Sequence, residues 1–132
     1  VGRMLFGQRF SIVSELTLAS GRRADIMALS PKGDVWIVEI KSSVADFRAD
    51  TKWPDYKDYC DRMFFASHED VPSELFPPEQ GLIMADAFGA DILRDAPEHR
   101  LSAARRKAVM LRFASAAATR LHHMADPGLN GL

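Results

Sequence analysis

The strongest strand signal in the chain is the stretch Val35-Trp36-Ile37-Val38-Glu39-Ile40-Lys41, which also contains two charged residues. The fold prediction starts from this stretch. β-Branched and aromatic residues dominate it, and such residues favour strands. A nearly continuous apolar run of this length is typical of a central strand with both faces covered. Charged side chains in a central strand need a reason, so Glu39 and Lys41 are candidate functional residues.

The residues around this strand predict an antiparallel meander with two short turns, Ala19–Gly21 and Ser30–Asp34. Further strands follow the meander, the last of them a short edge strand. The predicted strands are 10–18, 23–29, 35–41, 62–66, 81–85 and the edge segment 90–94. We therefore predict an α/β fold with a mixed central sheet of about five strands and helices on both faces.

Helical spacing replaces strand alternation between Val44 and Cys60, where Pro54 predicts the first turn of a second helical piece. Ser102 is expected to cap a last helix that reaches about Ala125. Its apolar stripe is predicted at Leu101, Ala104, Ala108, Leu111, Ala118 and Leu121. Met4–Phe6 predicts the end of an N-terminal helix whose start is truncated.

Composition bounds the class of protein. The 132 residues have 47% hydrophobic and 27% charged content, which predicts a single ordered domain over residues 1–132. The net charge of -1 gives no overall attraction to nucleic acid, so such a partner needs a local patch. A single cysteine excludes a disulfide framework and a four-thiolate zinc site. Without an apolar run of about 18 residues, we expect a cytoplasmic protein with no membrane span.

Two acids are predicted to meet on neighbouring strands. A hairpin turn centred on Lys32 pairs position 25 with position 39, so Asp25 lies opposite Glu39 with Lys41 on the same face. Opposed residues have Cβ atoms about 4.5–5.5 Å apart, and two like charges this close need a proton, a basic neighbour or a metal ion. Oxygen ligands for Mg²⁺ beside an ammonium suit phosphodiester hydrolysis.

A plainer interpretation of the same residues stays open. Exposed strands often carry Glu-x-Lys as a solvated pair that contributes little to stability. A slip of one residue in the register would also move Glu39 to the opposite face from Asp25. The apolar character of the strand favours the functional interpretation.

The spacing of Asp25 and Glu39-Ile40-Lys41 resembles the core of the PD-(D/E)xK nuclease superfamily. A wider set of segments resembles the MmcB-type bacterial DNA-repair family and covers nearly the whole chain. These segments are 15–25, 36–43, 46–50, 52–56, 60–65, 81–89 and 96–107. The resemblance implies a restriction-endonuclease-like fold, DNA as substrate, repair proteins as candidate partners, and Mg²⁺ or Mn²⁺ as cofactor.

The resemblance also implies roles for particular residues. Asp25 and Glu39 would be metal ligands with the backbone carbonyl of Ile40 as a third, and Lys41 would be the catalytic lysine. The proline that names the motif is replaced by Ala24. The acid that the superfamily carries on its first helix has no counterpart in residues 1–8. Glu15 is a candidate replacement, because a turn centred on Ser20 pairs position 15 with position 25.

Further residues are candidates for contacting phosphate. Lys52 and Tyr56 have the i, i+4 spacing that places two residues on one helix face, and Arg23 and Arg48 are cations near the same elements. The alternative is an amphipathic helix with Tyr56 in the core and Lys52 extending to solvent. The last helix is a second candidate DNA surface or simply a solvated basic helix. Its cations are Arg100, Arg105, Arg106, Lys107, Arg112 and Arg120.

These patterns predict a DNA-repair nuclease. The missing acid on the first helix keeps a second hypothesis open, in which the same fold is a catalytically silent module that binds DNA or a protein partner. Cys60 is expected to be a small buried residue rather than a nucleophile.

Overall fold

Six strands form one mixed sheet in the order of the sequence in the computed structural model, which describes residues 1–129. The strands are β1 (Ser11–Thr17), β2 (Arg23–Leu29), β3 (Val35–Ile40), β4 (Arg62–His68), β5 (Gly81–Ala85) and β6 (Ala90–Arg94). The helices are α1 (Gly2–Gly7), α2 (Val44–Ala49) and α3 (Ala103–Ala125), with 3-10 helices at Trp53–Tyr59, Ser73–Leu75 and Pro127–Leu129.

Three parallel strands form the centre of the sheet, and antiparallel pairs flank them on both sides. Strands β1, β2 and β3 form the predicted antiparallel meander, β4 and β5 run parallel to β3, and β6 returns antiparallel to β5. The count is six rather than about five, because the edge segment pairs with β5. β4 continues to His68, since Ser67 and His68 pair with β5.

The predicted ends of β1 and β3 are too long. Phe10 donates its backbone N–H to Leu5 and Leu18 donates to Arg22, so both residues belong to turns rather than to β1. β3 ends at Ile40 instead of Lys41. The chain turns there toward Ser43, whose hydroxyl accepts the Asp46 N–H and caps α2.

The alternation along β3 sends side chains into two separate cores, as a central strand requires. Val35 and Ile37 belong to the larger core, which α2, α3 and the 3-10 helix Trp53–Tyr59 cover. Val38 belongs to the smaller core, where Leu5 of α1 is fully buried. Helices therefore lie on both faces of the sheet, but the face with the larger core carries most of them.

Helix α3 has the predicted cap and length, but it presents a different face to the sheet. Val109 is its buried residue, while Leu111 and Leu121 of the predicted stripe are 62% and 68% exposed. The Arg106 guanidinium donates to both carboxylate oxygens of buried Asp61 at 2.7 Å. That ion pair turns the Arg106–Val109 face inward. An alanine-rich helix offers several apolar faces, so its sequence alone did not select the right one.

No helix between residues 1 and 129 is both long and apolar enough to cross a bilayer.

Candidate functional site

The predicted register of β2 and β3 is confirmed. Leu29 pairs with Val35 and Ile26 with Val38, so position 25 faces position 39. Beyond the pair Ile26 and Val38, hydrogen bonds from backbone N–H groups to carboxylate side chains replace the backbone hydrogen bonds. The Asp25 N–H donates to Glu39 Oε2 at 3.0 Å, and the Ile40 N–H donates to Asp25 Oδ2 at 2.9 Å. The two acids thus converge where β2 and β3 separate.

Glu39 lies at the edge of the larger core, and only 3% of its surface is exposed. Burial raises its pKa to about 8, and the neighbouring Asp25 carboxyl adds to the shift by hydrogen bonding and by charge. Two carboxylates this close repel each other unless a proton or a cation lies between them. With a pKa of about 8, Glu39 holds that proton at neutral pH when no cation is bound, and a bound cation would take the proton's place.

The ammonium group of Lys41 lies on the same side of the sheet and is held by a residue that sequence reasoning missed. Its Nζ lies 2.6 Å from Oδ2 of Asp50, and the side chain of Lys41 is only 10% exposed. Although burial opposes it, the hydrogen bond from Lys41 keeps the pKa of Asp50 below its ordinary value. The only sequence signal was the presence of Asp50 in a family-like segment, since no spacing rule links positions 41 and 50.

Tyr56 is buried beside the carboxylates instead of being displayed to a ligand. Its hydroxyl donates to the Arg23 carbonyl at 2.9 Å. Burial and the adjacent Glu39 raise its pKa above the ordinary value. The segment is a 3-10 helix starting at Trp53, in which residues three apart align, so Lys52 and Tyr56 do not share a helix face. Tyr56 joins the floor of the site, and Lys52 is exposed.

The remaining candidate cations lie at exposed positions on or beside the elements that carry the site. Arg23 begins β2 two residues before Asp25, Arg48 lies on α2, and Lys52 precedes the 3-10 helix. All three side chains are exposed to solvent. They are available to a phosphate backbone that approaches the carboxylates.

Glu15 is placed away from this group. The predicted register of β1 and β2 is confirmed, because Ser14 pairs with Ile26 and Leu16 with Ala24, but the ladder skips Glu15, whose backbone has a φ of 51°. The strand alternation shifts there, so that Glu15 lines a groove with Arg112 and Thr119 of α3. Within residues 1–129, no three His, Cys, Asp or Glu side chains are grouped to hold a metal ion, so Glu15 does not complete such a set.

Most cations of the last helix have structural partners. Arg106 pairs with Asp61, Arg120 donates to the carbonyls of Ser14 and Glu15, and Arg105 lies over the Tyr59 ring. Lys107 and Arg112 are exposed. Several basic residues of α3 therefore hold the helix against the rest of the domain.

The donor set fits a hard divalent cation. Mg²⁺ is usually bound through one or two carboxylates, with waters and substrate phosphates completing its coordination. Asp25 and Glu39 provide two carboxyl groups that meet where β2 and β3 separate. The Ile40 backbone, which ends β3, adjoins both acids.

The chain is similar to known proteins over nearly its whole length. A model of the family described as DNA repair protein MmcB-like matches residues 1–128. A solved structure of a protein of unknown function from Silicibacter pomeroyi is similar to this chain, with 48% identity and a TM-score of 0.92. That similarity covers 97% of this chain and 88% of the other. None of the curated proteins matches the chain.

Proposed function

Because the chain belongs to the MmcB-like DNA repair protein family, we propose that it hydrolyses DNA phosphodiester bonds in repair with the help of Mg²⁺ or Mn²⁺. The observation that carries the proposal is the meeting of Asp25 and Glu39 through reciprocal hydrogen bonds to the backbone of each other's strand. A PD-(D/E)xK-type site on a restriction-endonuclease-like fold is part of the proposal.

The roles follow from the chemistry of the groups. Asp25, Glu39 and the backbone carbonyl of Ile40 would hold the cation. A divalent ion bound there would polarise the scissile phosphate and acidify water. The Lys41 ammonium, buried and fixed, stabilises negative charge that develops on the phosphate oxygens. Arg23, Arg48 and Lys52 hold the flanking phosphates.

The test is cleavage of a panel of labelled single-stranded, duplex and branched DNAs with Mg²⁺ or Mn²⁺. Asp25→Asn keeps an oxygen to accept the Ile40 N–H but removes the charge. We expect it to lower metal-dependent cleavage at least about 100-fold, since even residues that only orient metal ligands cost 10–100-fold. Asp91→Asn on the exposed edge strand β6 is the matched control and should cleave like wild type.

Two results would contradict the proposal: wild type that cleaves none of these DNAs with either cation, or Asp25→Asn that cleaves as fast as wild type. Binding of Mn²⁺, measured by electron paramagnetic resonance, gives a second readout. It should weaken in Asp25→Asn and remain unchanged in Asp91→Asn.

A second candidate function is a DNA-binding or partner-binding module without hydrolysis. It is favoured by the absence, within residues 1–129, of a third acid, histidine or cysteine grouped with Asp25 and Glu39. This function predicts salt-dependent DNA binding with no cleavage, so the same panel separates the two candidates.

A further inference from the structure

The position of Lys41 is determined at both ends of its side chain. Its backbone N–H donates to the Ala66 carbonyl at 2.9 Å, and its own carbonyl accepts the Ser67 hydroxyl at 2.7 Å. At the other end, Nζ donates to Asp50 Oδ2 at 2.6 Å. A long flexible side chain is thus held in one place instead of sampling its rotamers.

Asp50 is itself held by the backbone that follows it. Its Oδ1 accepts the Lys52 N–H at 2.9 Å, at the start of the 3-10 helix that carries Tyr56. Asp50 follows α2 directly, so its carboxylate connects α2, the 3-10 helix and the end of β3. A carboxylate fixed in this way gives the ammonium a partner whose position does not vary.

We propose that Asp50 is a positioning residue that aims the Lys41 ammonium at the phosphodiester site, an inference that rests on the proposed function. The ion pair is only 10% and 18% exposed on its two sides, so the ammonium has little water to replace the carboxylate. Electrostatic stabilisation by an ammonium depends on its being in place before the reaction. Loss of Asp50 lets the amine turn away, and a misplacement of about 1 Å can cost about 100-fold in rate.

The experiment measures cleavage kinetics and thermal unfolding for wild type, Asp50→Asn, Asp50→Glu and Asp58→Asn. Asp50→Asn removes the charge that holds Lys41, and kcat should fall about 100-fold with KM nearly unchanged. Asp50→Glu keeps the charge but lengthens the side chain, so its kcat should lie between those of wild type and Asp50→Asn. Asp58→Asn makes the same change at an exposed position of the 3-10 helix and should match wild type.

The outcomes separate the inference from the function on which it rests. If no protein in the set cleaves DNA, the proposed function fails and the role of Asp50 fails with it. If wild type and Asp58→Asn cleave and folded Asp50→Asn keeps wild-type kcat, the positioning role alone is wrong. If Asp50→Asn does not fold, Asp50→Glu decides, and wild-type kcat in that folded variant overturns the inference.

Discussion

At the residue scale, the candidate site replaces backbone pairing with side-chain pairing. Asp25 and Glu39 each accept an N–H from the other residue's strand, so one oxygen of each carboxylate is satisfied. This explains how a strand as apolar as β3 accommodates a buried acid, since a buried polar group without a partner is costly. The raised pKa of Glu39 means that a proton relieves the charge repulsion between the two acids at neutral pH, and a bound cation would displace that proton.

The first prediction contrasts two glutamates. Glu39→Gln should lower metal-dependent DNA cleavage at least about 100-fold. It should not lower the melting temperature at neutral pH, because Glu39 with its pKa of about 8 is already protonated there and glutamine is neutral as well. Glu15→Gln should leave cleavage unchanged, since Glu15 faces α3. Equal losses in the two variants, measured on one labelled substrate, would mean that Glu15 belongs to the site after all.

The second prediction concerns Tyr56. Tyr56→Phe removes the hydroxyl that donates to the Arg23 carbonyl and should reduce the free energy of unfolding by about 1 kcal/mol. DNA affinity should stay the same, because the ring is buried in the floor of the site. Urea unfolding and fluorescence anisotropy measure the two quantities. A large loss of affinity with full stability would assign Tyr56 to the DNA surface instead.

At the scale of elements, one buried ion pair attaches α3 to the sheet. Asp61 is 1% exposed and accepts from Arg106 of α3, from the Val35 N–H of β3 and from the Leu101 N–H before the helix. Burial would raise its pKa, but the Arg106 guanidinium and the two N–H groups lower that pKa to about 2. A single carboxylate therefore joins β3, β4 and α3.

The third prediction is that Asp61→Asn lowers the free energy of unfolding by about 3 kcal/mol, because it leaves Arg106 without its buried partner. Asp34→Asn is the matched control, since Asp34 and Arg100 form an exposed pair and its loss should cost under about 1 kcal/mol. Urea unfolding at neutral pH measures both values. Similar losses in the two variants would contradict the special role of Asp61.

The pH dependence of the same pair follows from the direction of the shift. The folded pKa lies near 2, below the ordinary 3.8, so the unfolded chain takes up the proton first as the solution becomes acidic. The stabilisation is fully present above pH 3.8 and disappears as the pH falls to about 2. Wild type should lose stability in this window, and Asp61→Asn should lose less.

At the scale of the whole molecule, charge is balanced overall and uneven locally. The net charge of -1 gives no general attraction for DNA. The cations Arg23, Arg48 and Lys52 are exposed on or beside the elements that carry the candidate site, whereas Arg106 and Arg120 of α3 are bound to the sheet. DNA bound at the carboxylates should therefore draw on these three cations.

The fourth prediction is a small number of phosphate contacts. If Arg23, Arg48 and Lys52 each contact one phosphate, log K for duplex DNA should fall with log salt with a slope of about -2.7. Alanine at each position should reduce the slope by about 1. Lys32→Ala, at the turn between β2 and β3, should leave the slope unchanged. If Arg112→Ala reduced the slope instead, the DNA-binding surface would lie on α3.

The order of the strands' residues and the meeting of the two acids could be predicted from the sequence. Strand alternation and turn centres are local properties, so Val35–Ile40 could be predicted as a central strand and Asp25 paired with Glu39 from the register alone. The cap at Ser102 and the length of α3 were equally local. The resemblance to the MmcB-type family depended on the same short motifs, and the match over residues 1–128 confirms it.

Three contacts could not be predicted from the sequence and are seen only in the folded chain. Asp50 reaches Lys41 because α2 folds back over the sheet, and no sequence spacing encodes that distance. Glu15 is turned toward α3 by its positive φ, which the correctly predicted register of β1 and β2 does not reveal. The inner face of α3 was set by Asp61, since an alanine-rich helix packs on whichever side its ion pair fixes. Such contacts join residues far apart in the chain, where only packing brings them together.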